Sequence, residues 1–317
     1  MKKVFITTDI PDIADDLLKK EFEVVKNING VALLKDDLIR IGNEYDAILT
    51  TLTDKFDKDV LSKCLRTKIF ANYAVGYNNF DIDYIKENNI IVTNTPDVLS
   101  DTTAETALAL LFAVSRRIVE ADKYVRAGEW NGFSPKLLLG KDLYNKTVGI
   151  IGAGRIGHRF AEKIRGFHMK VIYYNRNREL SFEKSFNAEY KELDELLKES
   201  DIVSIHVPLM EETFHLINKR ELELMKSDAV LINTSRGQVV NEDDLLEVLE
   251  SKKIYGAGLD VFENEPYVNE RFFKLDNVVL LPHIGSASKE TREEMAIIAA
   301  KNIIKVLNGG EPINLVY

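Results

Sequence analysis

The stretch that most limits the fold is Val148-Gly-Ile-Ile-Gly152-Ala-Gly154-Arg-Ile-Gly157. An apolar strand runs into GxGxxG and then into helical sequence. Gly152 makes the tight turn, Gly154 lets the backbone reach a pyrophosphate, and Gly157 lets the helix pack close to the strand. The anion would sit on the helix N-terminus, with Arg155 and Ile156 among its expected contacts. A Gly-rich turn can serve packing alone. Here the strand, the helix and a second strand at the right distance point to dinucleotide binding.

The rest of the chain alternates in the same way. Apolar runs predict strands at 4–7, 22–25, 47–50, 69–72 and 90–93, with helical stretches at 12–20, 58–65 and 82–87 between them. A long amphipathic helix is predicted from Thr102, read as its N-cap, to Val125, with Gly128 ending it. Strands follow at 148–151, 171–174, 202–207, 230–233, 258–261 and 278–281, and a last helix at 289–307. Strands alternating with helices imply βαβ units and parallel sheets. The chain has 317 residues, enough for two domains of roughly 150 each. The expected architecture is α/β, with two doubly wound parallel-sheet domains: residues 1–99 with 288–317, and residues 100–287.

Composition narrows the partners. The net charge of −9 argues against nucleic acid, which needs a basic face. An anionic substrate must be held locally, by an arginine or by backbone N–H groups. Cys64 is the single cysteine, which fits a reducing compartment. MKKVFITTD is too short an apolar start for a signal peptide, and the longest apolar run, 107–114, is far below the ~20 residues of a membrane span. The cytoplasm is the expected location. No His/Cys/Asp/Glu group has metal-ligand spacing, so no metal is expected.

Two further sets of residues carry chemistry. An NAD site usually has Asp or Glu at the end of the second strand for the ribose 2′-OH. This chain has Tyr174-Asn175-Arg176-Asn177-Arg178. Asn175 can bond a 2′-phosphate and Arg176 and Arg178 can pair with it, so NADP(H) is expected, with NAD the alternative. Both arginines could also be ordinary surface charges. Arg236, Glu265 and His283 each follow a predicted strand, beyond the C-terminal ends where open α/β sheets place their ligands. Reducing a 2-keto acid needs a cation for the carboxylate, an acid for the carbonyl oxygen and a group that tunes the acid. His206 lies in a predicted strand and is read as lining or supporting the cofactor pocket, and as the fallback acid. His158, His168 and His215 are read as structural or exposed residues on helical stretches, and Asp97 and Asp101 as cap or turn residues.

The stretches NYAVGYNNFDID (72–83), VTNTPDVLSDTTAE (92–105), VGIIGAGRIG, INTSRGQVV (232–240), AGLDVFENEP (257–266) and LPHIGSAS (281–288) resemble the D-isomer-specific 2-hydroxyacid dehydrogenase family, closest to its glyoxylate/hydroxypyruvate reductase branch. The resemblance implies a Rossmann cofactor domain inserted in a flavodoxin-like substrate domain. It gives Arg236 the substrate's carboxylate and carbonyl oxygen, makes His283 the general acid, and has Glu265 favour the protonated imidazole. Backbone N–H groups of Val75 and Gly76 would cradle the carboxylate, and Leu52 would begin the pocket wall. Thr103, Val207, Pro208, Thr213, Thr234, Ser235, Asp260 and Gly285 would join the cofactor contacts. A homodimer built on the long helix is implied too, although Phe133 stands where the branch often has Trp. The alternatives are a lactate-type, phosphoglycerate or phosphite dehydrogenase, or a nucleotide-sensing co-repressor-like protein.

Overall fold

The computed structural model describes every residue except Asn29. The chain divides into two compact units, Met1–Leu99 with Ala287–Tyr317, and Ser100–Ser286.

The first unit is built on five strands: β1 (Lys3–Ile6), β2 (Glu23–Lys26), β3 (Ala47–Thr50), β4 (Ile69–Asn72) and β5 (Ile91–Thr93). They form one parallel sheet in the order β2-β1-β3-β4-β5. Successive side chains of a strand point to opposite faces, so a sheet covered on both sides needs apolar residues in unbroken runs. Val4, Ile6, Ala47, Leu49, Ile69 and Ala71 enter one core, together with Met295, Ala299 and Ile303 of the helix Lys289–Leu307. Phe5, Ile48 and Phe70 enter the other.

The second unit has seven strands: β6 (Thr147–Ile151), β7 (Lys170–Tyr174), β8 (Glu189–Tyr190), β9 (Ile202–Ile205), β10 (Val230–Asn233), β11 (Gly256–Leu259) and β12 (Val278–Leu280). Their order, β12-β11-β10-β9-β6-β7-β8, is parallel throughout. Val148, Ile150, Val230 and Ile232 face a core shared with the helix Ser100–Ser115. Ile151, Val203, Ile205 and Leu231 face the opposite core. The chain winds outward from β6 to β8, returns, and winds the other way from β9. The crevice at the β6/β9 ends is therefore the topological switch point, where ligands of such sheets bind.

The predicted helix 102–125 is two helices, Ser100–Ser115 and Ile118–Arg126. The apolar period continues through the break, so periodicity could not reveal it. The Lys141 N–H takes the Ser115 carbonyl at 2.7 Å, and Arg117 turns left-handed at φ 52°. Thr102 lies inside the first turn and is not the cap. Among the described residues no helix is long and apolar enough to cross a membrane.

Candidate active site

β6 ends in the glycine turn. Gly152 has φ 101°, and a Cβ there would lie 2.8 Å from the His206 carbonyl carbon. Its N–H bonds the Tyr174 carbonyl at 2.9 Å, so the turn is tied to the end of β7. A Cβ on Gly157 would press to 2.2 Å from the Gly152 oxygen, whereas one on Gly154 would meet nothing within 4 Å. Gly152 and Gly157 thus answer to the chain's own packing, and Gly154 opens onto space. The helix Arg155–Lys163 starts there with no side-chain cap and no acid in its first turn. Its first N–H groups have no acceptor within the helix, and its dipole favours an anion. These features fit a dinucleotide's pyrophosphate.

After β7, Asn175 bonds the Asn177 carbonyl at 3.1 Å through its side-chain amide. Arg178 is bound by both oxygens of Glu183, at 3.0 and 2.7 Å, and Glu183 also accepts from the Tyr173 hydroxyl at 2.7 Å. Arg178 and Tyr173 hold the Glu183 carboxyl below its usual range. Of the two arginines read as phosphate ligands, Arg178 is thereby neutralised, and the exposed Arg176 is left without an ion pair among the described residues.

β9 leads into His206, which is buried, with Nε2 2.9 Å from the Ser204 hydroxyl and Nδ1 unpartnered. Burial drives its pKa down to about 3. At neutral pH the ring has no proton to spare, so it is not the fallback acid. Val207 is half-buried and Pro208 exposed. The Thr213 hydroxyl accepts from Met210 N–H at 2.8 Å and donates to the Pro208 carbonyl at 2.6 Å, closing this loop on itself.

Three more loops carry the remaining candidates. β10 ends at Asn233, whose side chain accepts from Ser235 N–H at 3.0 Å and donates to the Arg236 carbonyl at 3.0 Å. That bracket folds Thr234–Arg236 over the strand end. The Thr234 hydroxyl is buried without a partner. Arg236 is half-buried, its guanidinium donates to the Ser235 carbonyl at 2.6 Å, and no carboxylate lies within 4.0 Å of it among the described residues. Burial pulls its pKa below the ordinary value, opposed by the nearby Glu265 charge. After β11, Asp260 is 1% exposed and accepts from the N–H groups of Ile284 and Gly285, both at 2.7 Å. After β12, His283 stands at φ 54° with Nδ1 2.7 Å from Glu265 Oε2. The other oxygen of Glu265 accepts from Phe262 N–H at 2.9 Å. Burial pushes the Glu265 carboxyl up, but the His283 hydrogen bond and charge, the Phe262 N–H and the Arg236 charge outweigh it and hold it below the usual range. An ionised Glu265 makes Nδ1 the donor and leaves Nε2 of His283 for proton transfer. Arg236, Glu265 and His283 are thus brought together at one end of one sheet. Thr103 is buried, and its side chain is about as close to Gly285 as side chains pack, since a Cβ on Gly285 would lie 3.4 Å from Thr103 Cγ2.

In the first unit Leu52 follows β3, in a loop held by the buried Asp54, which accepts from the Thr7 and Thr50 hydroxyls at 2.6 and 2.8 Å. Val75 and Gly76 follow β4. Their carbonyls accept from Asn94 and Asn72 at 2.8 Å each, and their N–H groups have no partner among the described residues. Sequence reasoning missed these holders. One signal was available: β4 and β10 both end in Asn, a residue suited to bracketing a turn. Gly237 was missed as well. A Cβ there would sit 1.9 Å from the Phe262 carbonyl carbon, so only glycine lets the Arg236 loop lie against the Glu265 loop. No group of three His, Cys, Asp or Glu side chains that could hold a metal occurs among the described residues.

A glycine turn at the switch point, an arginine with no ion pair among the described residues and a histidine–carboxylate pair fit a nicotinamide-dependent dehydrogenase. Residues 108–285 match the NAD-binding domain of the D-isomer specific 2-hydroxyacid dehydrogenases. The chain is 51% identical to a glyoxylate reductase of Thermococcus litoralis, over 99% of this chain and 96% of that one. A crystal structure of a Thermus thermophilus protein superposes with TM-score 0.93 at 39% identity, covering 99% of this chain and 100% of the other. An NADPH-dependent glyoxylate/hydroxypyruvate reductase of Sinorhizobium meliloti, solved with NADP and malonate, gives TM-score 0.87 at 31% identity over 99% of this chain and 96% of its own. The chain belongs to the D-isomer specific 2-hydroxyacid dehydrogenase family.

The buried His206 yields a stability test. Unfolded, its ring takes a proton as pH falls through about 6.5, whereas folded it resists until about 3. Its contribution to stability is therefore complete above the unfolded value and is lost as pH falls from there toward the folded one. His206→Phe should flatten the fall in melting temperature between about pH 7 and 4. A melting profile with the same acid slope as the unmodified protein would show that His206 does not resist protonation.

Proposed function

We propose that the protein reduces a small 2-keto acid, glyoxylate or hydroxypyruvate, to the 2-hydroxy acid with NADPH. The observation that carries this reading is the pair of His283 and ionised Glu265 at 2.7 Å, beside an arginine with no carboxylate within 4.0 Å among the described residues. When bound, the nicotinamide supplies the hydride. Arg236 receives the substrate carboxylate and carbonyl oxygen in its fork of donors. His283 gives its Nε2 proton to that oxygen as negative charge develops there. Glu265 keeps Nδ1–H oriented and stabilises the imidazolium before transfer. In oxidation the same ring is the base. The unpaired N–H groups of Val75 and Gly76 support them, with Leu52, as substrate contacts.

For the cofactor, the reading places the pyrophosphate at Gly152–Gly157 with Arg155 and Ile156, and the 2′-phosphate at Asn175 and Arg176, with Arg178 behind them on Glu183. Thr103, Val207, Pro208, Thr213, Thr234, Ser235, Asp260 and Gly285 are the remaining proposed contacts. The NADP-bound Sinorhizobium relative supports the preference. The assembly proposed is a homodimer: the helix Ile118–Arg126 buries none of its own residues and exposes Ile118, Val119 and Val125.

Three measurements test this reading. The kcat/KM with NADPH should exceed that with NADH, and Asn175→Asp should move the preference toward NADH because a carboxylate repels a 2′-phosphate; higher kcat/KM with NADH in the unmodified enzyme contradicts the cofactor assignment. For the chemistry, His283→Ala should cost on the order of 10²–10⁴ in glyoxylate reduction, and Arg236→Lys should be damaging because a point charge cannot replace a fork. Glu265→Gln removes the charge beside His283 and should lower kcat for glyoxylate, with cofactor binding almost intact. Near-normal turnover in His283→Ala removes the proposal. Light scattering at micromolar concentration should give twice the chain mass, and a monomer excludes the dimer.

A further inference from the structure

The loop after β11 carries two acids, Glu263 and Glu265, and the structure sends them to different histidines. Glu265 meets His283. Glu263 Oε1 lies 2.5 Å from Nε2 of His215. His215 is not on a helix but in the loop after β9, at φ 49°. Asn241 lies 3.3 Å from its Nδ1 and can only donate there through its amide, so Nε2 carries the proton that Glu263 accepts.

Around this pair three loops are laced together. Glu263 N–H donates to Glu242 at 3.1 Å, and Glu242 N–H donates to Glu263 at 3.3 Å. Gln238, two residues beyond Arg236, donates to the Glu263 carbonyl at 2.5 Å and accepts from the His215 N–H at 2.8 Å through its own carbonyl. Gly237 admits the Phe262 backbone against this knot. Phe262 in turn donates its N–H to Glu265. The loop bearing Arg236, the loop bearing Glu265 and the loop that runs from Pro208 to His215 therefore share one side-chain junction. His215 and Glu263 are only partly buried, with about a quarter of each side chain exposed, and core packing alone does not account for a hydrogen-bonded pair so placed.

We propose that His215 and Glu263 are positioning residues, a brace that sets where Arg236 and Glu265 stand and through them acts on the reduction. The inference rests on the catalytic reading of those two residues. None of the brace's hydrogen bonds reaches the glycine turn or the loop at Asn175, so the pyrophosphate and 2′-phosphate contacts proposed there do not depend on it.

The test uses His215→Leu, which removes both ring nitrogens, and His215→Gln, whose amide can still donate to Glu263. A misplacement of reacting groups by about 1 Å can cost about 100-fold. His215→Leu should lower kcat for glyoxylate by about 10- to 100-fold and raise its KM, while the NADPH dissociation constant from fluorescence titration stays within about threefold. His215→Gln should recover most of the loss. Amide hydrogen exchange should quicken at Phe262–Glu265 and Arg236–Val239 in His215→Leu and stay unchanged at the glycine turn. Because the brace acts in part through Glu265, the double variant with Glu265→Gln should lose less than the product of the single losses. Unchanged exchange in the two loops overturns the brace whatever the activity. Quickened exchange with losses that multiply, or with full activity in His215→Leu, overturns the positioning role. His283→Ala in the same assay separates the two readings: its inactivity upholds the catalytic reading when the brace fails, and its near-normal activity sinks the catalytic reading and the positioning role that rests on it.

Discussion

Asp260 makes the interaction on which the rest of the site depends. One buried residue fixes the chain around His283 by three hydrogen bonds: its carbonyl accepts the His283 N–H at 2.9 Å, and its carboxylate takes the next two N–H groups. His283 can then hold a left-handed backbone that an L-residue adopts only when its surroundings impose it. Burial pushes the Asp260 carboxyl up, against those N–H groups and the His283 charge. Leaving buried N–H groups without an acceptor costs about 1–3 kcal/mol each. The clamp thus holds the backbone from which the His283 ring meets Glu265.

The same economy of local contacts lets a chain of net charge −9 keep local features suited to an anion. No broad basic surface is needed. The glycine turn offers backbone N–H groups, Arg236 has no carboxylate within 4.0 Å among the described residues, and Arg178 is paired with Glu183 while Arg176 has no ion pair among them. Each positive feature sits at the C-terminal end of a parallel strand. A parallel sheet forces every connection through a crossover, so the loops at that end accumulate side by side and can be laced to one another. The junction at His215 and Glu263 is that lacing made visible.

Much of this was legible beforehand. Unbroken apolar runs marked the strands because a sheet covered on both faces needs them, and β3, β4 and β10 stand on the predicted residues. The glycine spacing located the turn because it marks both a left-handed angle and close backbone approach, Gly152 against His206 and Gly157 against Gly152. Helix ends were less legible. The break after Ser115 is made by Lys141, twenty-six residues on, and no local signal announces a hydrogen bond from so far along the chain.

What the sequence determined by itself was the set of parts: two α/β units, a GxGxxG turn between strand and helix, and an arginine, a glutamate and a histidine each placed just past a strand. Those follow from periodicity and residue chemistry over a few neighbours. What only the tertiary structure decided was which of several equivalent parts does what. Arg176 and Arg178 read alike until Glu183 takes one of them. Glu265 was legible as the partner of His283, but Glu263 had no reading until His215, from a distant loop, paired with it. His206 and His283 both follow strands, but burial removes the proton from one ring and a carboxylate steadies the other. Charge state and pairing depend on what lies within a few ångströms in space, and sequence distance carries no record of that.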